Sequence, residues 1–438
     1  MKANPLYQGS FLLACLAIAA YMGLSASMLW TLGDPYSSTT GNFIFKIHPG
    51  SYLLLGSLML LLFAHGNPVA TAINLIRHSP SLLLHAVGMV GLVVYSVARY
   101  GPSGSAFVIE TFVMPALVAL ILINFEEQDR RSIYRLILQL LVLNACIGLG
   151  EALLHRHLLP YTIVDGVRLV EEGDTFRSTA LLGHPLVNAT MTASLLFTCL
   201  DLPGTRGKIA LICLFLLAVL VFGSRAAFGV AVSVLGLYLL VTAISGVLRG
   251  RFTYLQTLGG AICAILLLTG IVGIVDLFGF GERIFNSLYL DNSAVVRIHN
   301  LQVFDFMNMD DITFGLSPTD IRHVIEETGL HYPYETIENP WLFMLMQFGI
   351  VGLTVLGVSL LMLVWWIFPR SGAGGRLALI SFFLIVSTYN SLAAKTCTLT
   401  LLVAALTALT GYRTSAAARR NSTLPYLPIA DGQAEARR

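Results

Sequence analysis

The chain has 438 residues, of which 56% are hydrophobic and only 11% are charged, and its formal net charge is +2. Soluble globular domains carry roughly 25% charged residues, so this composition excludes an ordinary soluble protein. The near-neutral charge also argues against a nucleic-acid partner, which would require a dense basic surface. The lipid bilayer is therefore the expected surrounding of most of the chain.

Apolar runs of roughly twenty residues, each able to cross a ~30 Å hydrocarbon core as a helix, recur up to residue 411. They lack the apolar and polar alternation of membrane barrel strands, so the sequence predicts helices. We predict an all-α polytopic membrane protein of about twelve transmembrane helices. The predicted spans are 10–30, 49–65, 82–99, 106–124, 135–153, 178–200, 208–223, 226–247, 254–277, 340–367, 376–392 and 396–411.

Lysine and arginine residues fall mainly in the short loops on one side of these spans, such as RSIYR, TRGK, RGR and PRSGAGGR. Because short cytoplasmic loops carry the excess of positive charge, these loops are predicted to be cytoplasmic, and so are both termini. The expected location is a bacterial inner membrane. Residues 1–411 are predicted to form one transmembrane domain, with large periplasmic loops near 154–177 and 278–339, and residues 412–438 a flexible cytoplasmic tail.

The six cysteines all lie within predicted spans and show no paired spacing, which favours separate thiols over disulfides or a metal site. No glycine-rich loop that would hold phosphates is present, so an ATP-driven mechanism is not expected. The sequence therefore predicts neither a metal nor another cofactor.

Polar residues within the predicted spans are the next feature, because such residues are rare in lipid. We expect them to hold helices together, or alternatively to line a groove for a lipid tail. They are Glu110, Asn144, Glu151 and Asn188.

Four motifs in the second half of the chain resemble those of the O-antigen ligase and Wzy-type polymerase superfamily. Glu338–Gly352 is similar to the family signature, in which a His precedes Asn, Ser or Gln, nine residues, Gly, two residues and Gly; here Glu338 occupies the His position. Arg177–Thr190 resembles an Arg followed by a Gly-x-x-x-His-Pro-like segment. Gly223–Phe228 resembles a Ser-Arg turn, and Arg297–Gly315 a segment of the large periplasmic loop.

The resemblance implies a GT-C-like glycosyltransferase that needs no metal and uses an undecaprenyl-diphosphate-linked glycan as donor at the periplasmic face. A polymerase of an exopolysaccharide, capsule or O-antigen is the first expectation, with a chain-length regulator and a flippase as candidate partners. An O-antigen ligase that transfers the glycan to lipid A core is the alternative. A flippase or transporter also remains open, although transporters concentrate polar residues near the bilayer midplane.

The resemblance also implies a set of site residues. Arg225 and Arg297 are expected to grip the departing diphosphate, since guanidinium groups form paired hydrogen bonds with such oxygens. Arg225 could instead extend to the lipid interface, and Arg297 could form a surface salt bridge. Glu338 is expected to act as a base toward the acceptor hydroxyl, or alternatively to neutralise an arginine. The expected substrate-binding residues are Arg177, His184, His331, Tyr332, Tyr334 and Asn339, although Arg177 could instead anchor a helix and His184 could instead start one.

Overall fold

The computed structural model of the chain describes residues 4–34, 36, 43–64, 66–101, 105–158, 176–250, 253, 273, 300–329, 337, 339–389 and 392–422. Over these ranges every regular element is a helix, which confirms the all-α prediction there. The helices, numbered in chain order, are α1 Pro5–Gly23, α2 Ala26–Thr31, α3 Pro49–Ala64, α4 Pro68–His78, α5 Pro80–Tyr100, α6 Ser105–Ile123, α7 Glu127–Leu154, α8 Pro185–Leu196, α9 Thr205–Val221, α10 Arg225–Leu248, α11 Met309–Phe314, α12 Pro318–Glu327, α13 Pro340–Ile367, α14 Ala373–Val386 and α15 Thr398–Ser422.

Six of these helices, α1, α5, α6, α7, α10 and α13, are long and apolar enough to cross a membrane. Three shorter apolar stretches accompany them: α3, α14 and the part of α15 from Thr398 to Gly411. Every predicted span overlaps a described helix except 254–277, of which the structure describes residue 273 alone. The chain is therefore a helical membrane protein, as its composition predicts.

Small polar residues allow neighbouring helices to approach closely. Ser10 of α1 and Ser57 of α3 each donate a side-chain hydrogen bond of 2.8 Å to the other's carbonyl oxygen. Helix α13 packs against α5, α15 against α6 and α7, and α8 against α9 and α14. Reciprocal hydrogen bonds between small residues, like those of Ser10 and Ser57, are typical of helices that pack within a bilayer.

The two ends of α7 define the two ends of the helix bundle. This helix has 28 residues and is therefore about 42 Å long at 1.5 Å per residue. Near its start, Arg131 donates through Nε to the carbonyl oxygen of Gly411 at 3.0 Å. Near its other end, Glu151 binds the backbone of Thr179 and Ala180. We call this second end, formed by the last turns of α7, residues 177–184 and the turn before α10, the Arg177 end.

Residues 300–329 pack as a small unit against the start of α13. The sequence Ser317-Pro-Thr-Asp320 predicts a helix start, which the structure confirms: Ser317 caps α12 by accepting a hydrogen bond from the backbone N–H of Asp320 at 3.2 Å. A second apolar core joins this unit to α13, and its most buried members are Val303, Ile325, Ile337 and Met346. The sequence VVRIHNLQVFDFM, residues 295–307, predicts an amphipathic α-helix, and this prediction is wrong in its described part, because Asn300–Phe306 form a 3-10 helix. Short 3-10 segments commonly serve as connectors.

Two predicted boundaries also differ from the structure. The span expected from residue 178 begins as a helix only at Pro185, because Ala180 takes a left-handed conformation with φ of 40° and Pro185 follows the capping residue His184. At the other terminus, α15 continues through Ser422, beyond the predicted span end at 411. Residues 423–438 of the expected tail lie outside the described residues.

Candidate functional site

The turn between α9 and α10 places Arg225 at the first position of a long apolar helix. Ser224 caps this helix, its Oγ accepting from the backbone N–H of Ala227 at 3.3 Å. Gly223, with φ of 68°, allows the chain to reverse between the two helices. Arg225 is half-buried at the start of α10.

Arg177 lies directly against this turn. Its backbone neighbour Ser178 donates to the carbonyl oxygen of Val221 at 3.2 Å. A Cβ atom at Gly223 would lie 3.3 Å from both Cγ and Nε of Arg177, so the glycine leaves room for the arginine side chain. The side chain of Arg177 thus lies against Gly223, which precedes Arg225 by two positions in the chain. Both arginines are predicted site residues. The segments that carry them are two of the motif segments, and they are in direct contact.

The segment that carries Arg177 is held by polar groups of α7. The carboxylate of Glu151 accepts from the backbone N–H groups of Leu158 at 2.7 Å, Thr179 at 2.8 Å and Ala180 at 2.9 Å. Asn144 accepts from Leu181 at 3.0 Å. The sequence predicts helix-to-helix contacts for Glu151 and Asn144, but both hold a non-helical segment. That segment needs such acceptors, since its backbone N–H groups have no helical partners.

His184 is the N-terminal cap of α8, and its Nδ1 accepts from the backbone N–H of Leu186 at 3.2 Å. This confirms the interpretation of His184 as a helix-start residue. Asn188, one turn later, donates to the carbonyl oxygens of Thr179 at 2.5 Å and His184 at 2.9 Å. Burial first, and then the positive charge of Arg177, lower the pKa of His184, which lies just outside the helix. A neutral imidazole is therefore favoured beside the arginine.

The other two motif segments also contact each other. Gly349 interrupts α13 with φ of 64° and ψ of −178°. A Cβ atom at Gly349 would clash with the carbonyl oxygen of Thr313, and a Cβ at Gly315 would lie 2.5 Å from the carbonyl oxygen of Gln347. The two glycines therefore let α11 and α13 touch through their backbones.

The end of α14 joins the two pairs of motif segments. Asn339 caps α13, its side-chain oxygen accepting from the N–H groups of Trp341 at 3.0 Å and Leu342 at 3.3 Å. The indole of Trp341 donates to Ser387 at 3.1 Å. Tyr389, two residues after Ser387, donates to the carbonyl oxygen of Leu186 in the first turn of α8 at 2.9 Å. The start of α13 and the start of α8 therefore lie at the same end of the bundle.

No protein-family model matches the chain, and no curated protein matches it. Of the predicted site residues, Arg177, Arg225, His184 and Asn339 belong to the Arg177 end or lie beside it. The remaining ones lie outside the described residues: Arg297, Glu338, His331, Tyr332 and Tyr334. Within the described part of the chain, no group of three or more His, Cys, Asp or Glu residues is arranged to hold a metal ion.

Sequence reasoning did not single out Lys395, Tyr389 or His48, which line a pocket beside His184. Of these three residues, Lys395 alone stands out in the sequence, as a lone cation between two apolar spans on the predicted outer side. Polar residues that come together from four separate segments of the chain leave no pattern of spacing. Their grouping depends on the tertiary structure.

Proposed function

We propose that this chain is a membrane glycosyltransferase that joins undecaprenyl-diphosphate-linked repeat units into a polysaccharide at the periplasmic face. The observation that carries the proposal is that the four motif segments meet in two contacting pairs at one end of the bundle. Arg177 meets Gly223 in the first pair, and Gly315 meets Gly349 in the second. Residues separated by up to about 170 positions of sequence thus contribute to one region.

The chemistry of the proposed site is electrostatic. When a glycan leaves its carrier, negative charge builds up on the departing diphosphate, and guanidinium groups bind those oxygens through charge-assisted hydrogen bonds. Arg177 packs against the turn that precedes Arg225, and Arg297 is proposed to join them. Donors that are already in place when the charge develops stabilise the transition state more than the ground state. No metal is needed for this step.

The carrier lipid fits the surface of α10. This helix begins with Arg225 and presents exposed apolar side chains along its later turns, including Leu237, Leu240 and Ile244. An exposed apolar helix face gives a polyprenyl tail a path into the bilayer while its diphosphate stays at the helix start. The exposed apolar face of α10 is thus compatible with a lipid-linked donor.

Polymerase is proposed ahead of ligase because Glu338 occupies the His position of the family signature, and ligases are the members of the family in which that His is best kept. In the proposed reaction, the acceptor sugar hydroxyl attacks the anomeric carbon of the donor, the bond to the diphosphate breaks, and Glu338 takes the hydroxyl proton. A flippase or transporter would bind the same lipid without this bond exchange.

The test uses the purified full-length chain with a lipid-linked repeat unit, and the products are separated by size. A ladder of products supports the polymerase. Transfer only to an added lipid A core acceptor supports the ligase, and the absence of any glycosyl transfer contradicts both enzymes and leaves the transporter.

Arg225→Ala should lower the rate of transfer by about 10²- to 10³-fold, the loss expected for one preorganised group at a developing charge. Arg249→Ala is the matched control, because Arg249 is exposed at the other end of the same helix. Equal activity of the two variants would reject the assignment of Arg225. Glu338→Gln tests the base, and an unchanged rate in that variant would eliminate this role.

A further inference from the structure

A pocket of about 200 Å³ opens beside the Arg177 end. It lies where the end of α1, the residues before α3 and the residues before α15 meet the start of α8. A cavity of about 150 Å³ can hold a benzene molecule, so this pocket can accommodate a single small ring. Its wall carries three tyrosines, two histidines and one lysine: Tyr21, Tyr36, Tyr389, His48, His184 and Lys395.

Lys395 holds the rim of this pocket together. Its ammonium group donates to the carbonyl oxygen of Tyr36 and, at 3.0 Å, to that of Lys46, and it lies 3.9 Å from the centre of the Tyr36 ring. An ammonium group has three N–H donors, of which these two carbonyls take two. A third donor is therefore left for a molecule in the pocket.

The charge around Lys395 is balanced. Lys46 adds a second positive charge, while the carboxyl groups of Asp34 and Glu110 lie near enough to act electrostatically on Lys395. Glu110 accepts from the backbone N–H of His48 at 2.9 Å through one oxygen. Around Lys395, two cations are therefore offset by two carboxyl groups, and this side of the pocket has a small net charge. A neutral ligand rich in hydroxyl groups fits this balance.

The aromatic rings give the pocket its shape. Tyr21 and His48 stack with their centres 4.8 Å apart, and Tyr36 meets His48 edge-on at 5.5 Å. Rings fixed in this way offer flat apolar faces next to hydrogen-bonding edges. A sugar ring matches both features, since its C–H faces pack on aromatic rings while its hydroxyl groups exchange hydrogen bonds with polar groups.

We infer that this pocket, with Lys395 as its fixed donor, binds the terminal sugar of the acceptor glycan. The position supports the assignment, because His184 and Tyr389 line the pocket and both lie within the electrostatic reach of Arg177. The acceptor sugar would thus lie beside the arginines that hold the donor diphosphate. This inference rests on the proposed function for the identity of the sugar's carrier, but the binding of a sugar can be measured without turnover.

The experiment measures the binding of free monosaccharides to the full-length protein in lipid nanodiscs by saturation-transfer NMR. The probes are glucose, galactose, mannose and N-acetylglucosamine, and inorganic pyrophosphate serves as a competitor. Lys395→Met should weaken the binding of the best probe at least fivefold. Lys208→Met is the matched control, because Lys208 also donates to a backbone carbonyl, that of Leu200 at 2.7 Å, but near the start of α9.

A second variant guards against misfolding of Lys395→Met. Ala394 is exposed and lines the pocket, so Ala394→Trp adds bulk at the pocket without removing a side-chain hydrogen bond. It should weaken sugar binding as strongly as Lys395→Met. The inference is overturned if no probe binds, if both variants bind like Lys208→Met, or if pyrophosphate displaces the sugar completely.

The two proposals can fail separately. If Arg225→Ala retains full transfer activity while sugar binding still depends on Lys395, the proposed diphosphate site is wrong and the sugar pocket stands. If Arg225→Ala abolishes transfer while Lys395→Met and Ala394→Trp bind sugar normally, the pocket assignment is wrong and the proposed function stands.

Discussion

Gly349 lies at the point where α13 is interrupted and touches α11, and Gly349→Ala is therefore expected to be costly. With φ of 64° and ψ of −178°, the residue occupies a backbone region that is nearly restricted to glycine, where another residue costs on the order of 1–3 kcal/mol. The added Cβ would also lie 2.5 Å from the backbone nitrogen of Phe314. Relieving that contact separates α11 from α13 and loses the 2.6 Å hydrogen bond from Leu316 to Met346, a further cost of about 1 kcal/mol. The total is roughly 2–4 kcal/mol.

The assay is the apparent melting temperature of the detergent-solubilised chain, measured together with glycosyl transfer. Gly357→Ala is the matched control, because Gly357 lies in the same helix and an added Cβ there meets no atom within 4 Å. The control should be unchanged or more stable by up to ~1 kcal/mol, the helix preference of Ala over Gly. If Gly349→Ala melts at the temperature of the control, the contact between α11 and α13 does not have the geometry described above.

Three further predictions concern other parts of the bundle. Gly374→Ala should destabilise the chain by about 1–3 kcal/mol in a thermal melt, because the new Cβ would clash with the carbonyl oxygen of Phe197. Gly91→Ala, with open space around it, should not. Glu151→Gln should cost about 1–3 kcal/mol, since an amide N–H₂ must then face a backbone N–H donor; unchanged stability would show that its three hydrogen bonds do not hold the segment. Burial lowers the pKa of Lys395 to about 8, so sugar binding that needs its ammonium form should be complete well below that pH and weaken as pH rises through it. In Lys395→Met, this pH dependence should be absent.

The helices were the most predictable part of the structure, for a physical reason. A helix in lipid satisfies its own backbone, so a long apolar run is enough to specify it, and α13 follows the predicted span 340–367. The start of α8 was less predictable. Residues 178–184 are apolar enough to continue a helix, but Glu151 and Asn144 supply acceptors to their backbone from another helix. Such acceptors come from the tertiary structure, which spacing along the chain does not encode.

The residues of the proposed sites also differ in how far the sequence alone could single them out. Arg225 could be predicted because a cation in a very short turn between two apolar spans stands out against its surroundings. Lys395 could not, because its role depends on the carbonyl oxygens of Tyr36 and Lys46, about 350 residues earlier in the chain. Asn339 matched a motif by spacing, and the structure adds what the side chain does, which is to cap α13. Features set by neighbouring residues could therefore be predicted from the sequence, and contacts between distant segments of the chain could not.

The arginines and glycines of the motif segments depend on one another physically. Gly223 leaves room for Arg177 over the turn before Arg225, since a Cβ there would lie 3.3 Å from the arginine Nε and the arginine side chain would have to shift by a few tenths of an ångström. The turn in turn requires the positive φ that Gly223 adopts. Any other residue at this position would both strain the turn and displace Arg177. One glycine thus determines how closely Arg177 approaches the turn that precedes Arg225.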